Sequence, residues 1–173
     1  MAFTDAQITG GVRCTYEHLN ATVYDGRLPA WGTFEFRITD SPRRMGCVYG
    51  RCFMGTARIV RLEISRRSPT LGDLGNTVRH EVAHIASMVL NGQGGHGYTW
   101  IQHARKCGAE PVRCYSGEVE RRPGDYVIYC PQECGKEFVF TKRTKNVQRA
   151  MRGELRVRCP SGCGITHYSV RQV

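Results

Sequence analysis

Residues 80–84 read His-Glu-Val-Ala-His. On a helix, two imidazoles four residues apart share one face, a turn apart, which is the spacing at which both reach a single metal ion. Glu81 lies on the flank between them, close enough to contact water at that ion without being a ligand. The chemistry implied is hydrolysis: zinc lowers the pKa of water toward about 7, and the adjacent carboxylate takes the proton. A catalytic zinc usually has three protein ligands and keeps a fourth position for water. His96, twelve residues past His84 and across the glycine-rich stretch NGQGGHG, is the candidate third ligand. His103, or a carboxylate from Glu110 or Glu118, is the alternative. His18 and His167 read as surface or core histidines.

A second group of metal-binding type lies near the C-terminus. YCPQECGKEF at 129–138 and RCPSGCGITH at 158–167 share Cys-Pro-x-x-Cys-Gly, offset by 29 residues. Each knuckle supplies two thiolates, so Cys130, Cys134, Cys159 and Cys163 are expected to close around a structural zinc with no room for water. Two zinc ions are thus expected, one catalytic and one structural. Cys14, Cys47, Cys52, Cys107 and Cys114 read as packed free thiols. Between the knuckles, Phe138 and Phe140 stand among Lys142, Arg143, Lys145, Arg149 and Arg152. Cations interleaved with aromatics suit phosphate contact and base stacking on single-stranded DNA. The alternative is a strand with core phenylalanines and a solvated basic face.

These groups need elements to hold them. Leu74, Val78, Val82, Ile85 and Val89 fall within a sector of about 80° on a helix, with His80 and His84 about 140° from its centre. Thr70 and Asp73 resemble a capping box at its start, and Asn91-Gly92 stops it. Upstream, Ile8, Val12, Tyr16 and Leu19 recur at helical spacing over residues 4–20, with Thr4 or Asp5 as cap and Gly10-Gly11 working against the helix. TFEFRIT, GCVYGRCF and RIVRLEIS read as strands, the last anchored by Ile59, Leu62 and Ile64. YTWIQHARKC reads as a second short helix closed by Gly108. The polar stretch 115–125 is the best linker, dividing a domain of residues 1–122 from a module of residues 123–173. The fold class expected is α+β: helices packed on a small, mostly antiparallel sheet, followed by a zinc ribbon.

The net charge is +10, from 25 basic and 15 acidic residues. Residues 123–173 hold nine basic and four acidic groups, half the excess in less than a third of the chain. Such a field favours polyanions. No apolar run approaches the roughly 18 residues of a membrane span, and MAFTDAQITGGVRC lacks the pattern of a signal peptide. The expectation is a cytoplasmic protein, without a membrane partner, in a reducing compartment where clustered cysteines bind metal.

HEVAH followed by HGYTW, with YEHLNATVYDGRLP upstream and paired Cys-Pro knuckles downstream, resembles the SprT-like zinc metalloprotease family in its compact bacterial or phage form. The resemblance runs from about Tyr16 to Tyr168. It implies a minimal zincin-like domain with His80, His84 and His96 as ligands, Glu81 as base and a C-terminal zinc ribbon. It also implies proteolysis of proteins bound or crosslinked to DNA, single-stranded or damaged. A monomer is expected, nucleoid-associated in a bacterium or in the host cytoplasm for a phage. Two other readings are a non-catalytic, zinc-containing nucleic-acid-binding adaptor and a zinc hydrolase of small peptides.

Overall fold

The computed structural model describes every residue except 1, 2, 43, 54, 55, 69, 113–120, 133, 135, 160, 161, 163 and 164. The chain divides into two compact units, residues 1–40 with 44–118 and residues 41–43 with 119–173.

In the first unit, helix α1 (Asp5–Thr22) starts at a capping box. Thr4 Oγ1 accepts from the Gln7 backbone N–H at 3.2 Å, and Gln7 Oε1 accepts from Thr4 N–H at 2.9 Å. Its buried side chains are Ile8, Val12, Tyr16 and Leu19, one stripe at helical spacing. Strands β1 (Glu35–Thr39), β2 (Gly46–Phe53) and β3 (Thr56–Ser65) form a sheet in the order β1-β3-β2. β2 and β3 are antiparallel, but β1 runs parallel to β3, so the sheet is mixed where a mostly antiparallel one was expected. The reason is topological: the β2–β3 pair leaves the other side of β3 open, and β1 docks there pointing the same way.

Ile59 and Leu62 are three apart, yet both are buried on one face. A bulge reconciles this with the two-residue period of a strand: Tyr49 pairs with Arg61 and Gly50 with Ile59, leaving Val60 unpaired and 40% exposed.

Helix α2 (Leu71–Asn91) packs on α1, on the sheet and on α3 (Tyr98–Cys107). Thr70 Oγ1 accepts from Asp73 N–H at 3.1 Å, while its hydroxyl donates to the Asp73 carboxylate. Gly92 ends the helix with φ +65°, a conformation glycine adopts without strain. Leu74, Val78, Val82 and Ile85 are buried, and Val89 is partly so. Burial of each such side chain contributes roughly 1.5–3 kcal/mol.

In the second unit, β4 (Tyr126–Tyr129), β5 (Glu137–Phe140) and β8 (Ser169–Gln172) form an antiparallel sheet ordered β5-β4-β8, and β6 (Arg156–Arg158) pairs with β7 (Ile165–His167). A seven-residue helix, α4 (Lys145–Met151), fills part of the segment between the knuckles, capped by Thr144. The core gathers Ile128, Phe140, Val147, Leu155 and Tyr168 around Cys130 and Cys159. The elements make the chain α+β. No helix among the described residues is long and apolar enough to cross a membrane.

Candidate metal centre

α2 turns His80 and His84 away from the core, and the loop after Gly92 brings His96 back to them. The three Nε2 atoms form a nearly equilateral triangle: His80 to His84 3.2 Å, His80 to His96 3.1 Å, His84 to His96 3.1 Å. Tetrahedral metal–nitrogen bonds of about 2.0–2.1 Å set neighbouring nitrogens about 3.3–3.4 Å apart, so the triangle fits an ion of zinc's size with one position left over. Three lone pairs aimed at one point repel each other unless a cation joins them. Burial, then the nearby His96, lowers the His80 pKa to about 4. Burial, then His80 and His96, lowers His84 to about 3. Both rings are therefore neutral near pH 7, the form that ligates a metal. The Gly95 backbone opposes the lowering at His84 slightly.

The floor beneath the three rings is Trp100, 1% exposed, with centroids 4.7, 5.2 and 4.5 Å from those of His80, His84 and His96. Glu81 is 4% exposed. Burial raises its pKa to about 8, with Arg44 opposing. The carboxylate packs against Gly46 of β2 so closely that a Cβ there would lie 2.5 Å from Oε1. Histidines and glutamate line a cleft of about 350 Å³, whose opposite wall is Arg44, Gly46, Cys47 and Val48. Gly46, Cys47 and Val48 of that wall belong to β2, an outer strand of its sheet.

The family model of the SprT-like family matches residues 12–120. The chain belongs to the SprT-like family. No curated protein and no solved structure matches it.

The other candidates for the third position in this SprT-like chain lie elsewhere. His103 is buried with both ring nitrogens engaged, Nδ1 3.2 Å from Tyr24 Oη and Nε2 2.8 Å from Asn91 Oδ1. Glu110 is exposed, and Glu118 lies outside the described residues. His18 is exposed, and the side chain of His167 is outside the description. Tyr98, next to the loop, is 74% exposed and does not line the cleft. Glu81's seat on Gly46 and the Trp100 floor escape the sequence reading. The one available signal was Trp100, a single helical turn beyond His96.

Cys130, Cys134 and Cys159 form the second group able to hold a metal, with sulfur atoms within 4.8 Å of one another. Cys134 and Cys159 Sγ are 3.6 Å apart, close to the roughly 3.8 Å between thiolates on one tetrahedral zinc. Cys163 lies outside the described residues. Of the cysteines read as packed thiols, Cys107 is buried and Cys47 partly so, but Cys14 is exposed on α1, a correction. The side chain of Cys52, and Cys114 altogether, fall outside the description.

Lys142, Arg143, Lys145 and Arg149 are exposed, and Phe138 is 37% exposed. Phe140 is 8% exposed in the core of its unit, so it has no face to offer a base, a second correction. The cause is strand alternation broken at its end, where Val139 and Phe140 are both buried. Arg152 forms a bidentate pair with Glu154, 2.8 Å at each contact, which competes with any phosphate for its guanidinium.

Proposed function

We propose that the chain is a zinc-dependent endopeptidase, zincin-like in arrangement, that cuts proteins bound or crosslinked to DNA. The observation that carries this reading is the convergence of three Nε2 atoms at 3.1–3.2 Å beside a buried glutamate, in a cleft walled by the edge of a sheet. His80, His84 and His96 would hold the catalytic zinc. The metal, when bound, supplies Lewis acidity that acidifies water and polarises a carbonyl. A dication at the histidines would hold Glu81 ionised, and the carboxylate would then take the proton of the attacking water and pass it to the leaving amide nitrogen. The outer edge of β2 offers backbone N–H and C=O groups along the cleft, where an extended polypeptide adds as one more strand. A long backbone partner of this kind favours protein substrates over small peptides. A non-catalytic adaptor would gain nothing from a carboxylate buried beside the histidines, since such burial costs stability.

The Cys130, Cys134 and Cys159 group, completed by Cys163, would hold the structural zinc of a ribbon. The basic charge of that unit, with exposed Phe138 beside Lys142, Arg143 and Lys145, supports DNA contact. The test is proteolysis of casein and of the chain itself, with and without single-stranded DNA, for wild type and Glu81→Gln. DNA should stimulate cleavage, and the variant should bind metal at the histidines but not cleave. Wild-type rates from Glu81→Gln would remove Glu81 as base; no cleavage by metal-loaded wild type would remove the endopeptidase.

A further inference from the structure

The loop that presents His96 has little of its own to hold it in place. Gly92, Gly94, Gly95 and Gly97 make up four of residues 92–97. A Cβ at any of the four would meet nothing within 4 Å, so the glycines bring no side-chain packing to the loop beyond that of the His96 ring. Gly92 and Gly95 stand at φ +65° and +78°. A chain so rich in glycine samples many conformations unless something ties it down.

What ties it is polar. Ser87, fully buried on α2, places Oγ 2.9 Å from the Gln93 carbonyl oxygen and 3.0 Å from Thr99 Oγ1 on α3. Thr99 Oγ1 lies 2.8 Å from Gln93 Oε1. The Gln93 backbone N–H donates to Ser87 O at 3.1 Å. With the Gln93 amide turned so that Nε2 faces Thr99, the protons run in one direction: Gln93 to Thr99, Thr99 to Ser87, Ser87 to the Gln93 carbonyl. Every hydroxyl then donates once and accepts once. The ring closes over the loop's entrance and fastens it to the first turn of α3, three residues after His96.

We propose that Ser87, Gln93 and Thr99 form a polar clamp that positions His96, and so sets how firmly the histidine triangle holds its metal. The inference rests on the reading of that triangle as a metal site. The three are positioning residues: none of their side chains lines the cleft. Gln93 is exposed and Thr99 half-buried, so the clamp can be cut from its outer side without opening the core.

The test is metal transfer to a chromophoric chelator at neutral pH from wild type, Thr99→Val, Thr99→Ser and Ser87→Ala, each also made in a His96→Ala background. Thr99→Val keeps the shape and removes the hydroxyl. It should weaken metal retention roughly 10–100-fold, the usual effect of losing a group that orients a ligand. Thr99→Ser should stay at the wild-type value. In the His96→Ala background, Thr99→Val should have no further effect, because the ligand that the clamp serves is gone. Ser87→Ala should follow Thr99→Val where it folds. Retention unchanged by Thr99→Val overturns the clamp, as does an equal loss with and without His96, which would mean that the hydroxyl only stabilises the fold. A wild-type chain that keeps no metal at the three histidines overturns the metal reading and the clamp with it.

Discussion

Glu81 sits where the facing strand has no side chain to spare. Its Oε1, Cγ and Cδ lie 2.5–2.7 Å from the point a Cβ on Gly46 would occupy, so Gly46→Ala must push the carboxylate aside. The ligands stay where they are, so this variant should retain its metal while proteolysis falls roughly 100-fold, as about 1 Å of misplacement allows. Metal content measured beside turnover separates the two. Titration gives a second prediction for the metal-free protein. His80 and His84, lowered to about 4 and 3, bind fewer protons folded than unfolded, so they make stability rise with pH up to about 6.5. Glu81, raised to about 8, binds its proton more tightly folded, so it makes stability fall between about 4.5 and 8. Two histidines outweigh one carboxyl below 6.5, and the carboxyl acts alone above it. Urea midpoints of the metal-free chain should peak near pH 6.5, and a monotonic rise to pH 8 would contradict the burial of Glu81. The pairing of His80 with His84 was legible in the sequence, because four-residue spacing on one helix is a local property. The seat of Glu81 was not, since it depends on which strand faces α2.

At the scale of elements, α1 carries Gly10 and Gly11 in mid-helix, both exposed, with open space where a Cβ would go. Neither turn nor close approach requires them. Gly10→Ala and Gly11→Ala should each stabilise the protein by about 1 kcal/mol, read as a shift in the urea midpoint, because alanine loses less backbone freedom than glycine on entering a helix. The helices were largely legible: Thr4, Thr70 and Gly92 mark their ends, and the buried stripes repeat at helical spacing. The strands were legible as segments but not in their pairing. Nothing near β1 in sequence tells it to lie parallel to β3, a contact made with residues about 26 positions on. The bulge at Val60 was hidden too, because the spacing of Ile59 and Leu62 makes sense only beside the pairing partner. α4 is too short for periodicity, with Val147 and Ala150 as its only buried residues.

For the whole molecule, the two units divide the work that the proposed function requires, cleavage in one and attachment in the other. Charge reversal at Lys142, Arg143 and Lys145 removes three exposed cations from the second unit and leaves the histidine cleft untouched. It should weaken binding to single-stranded DNA and flatten its salt dependence, while DNA-independent cleavage of casein stays at the wild-type rate. Affinity and salt slope that do not change would take the interface away from that face. The second unit has a further property. β8 lies beside β4, with Tyr126 opposite Gln172, Gly124 N–H donating to Val173 O at 2.9 Å and Val173 N–H to Asp125 O at 2.8 Å. Residues 124–126 and the last two residues are thus stitched together like the two ends of a closed loop of thread. Any polypeptide continuing past Val173, natural or fused, would emerge beside residues 124–125, and a cargo grafted there would leave the module at the place where that stretch of chain enters β4.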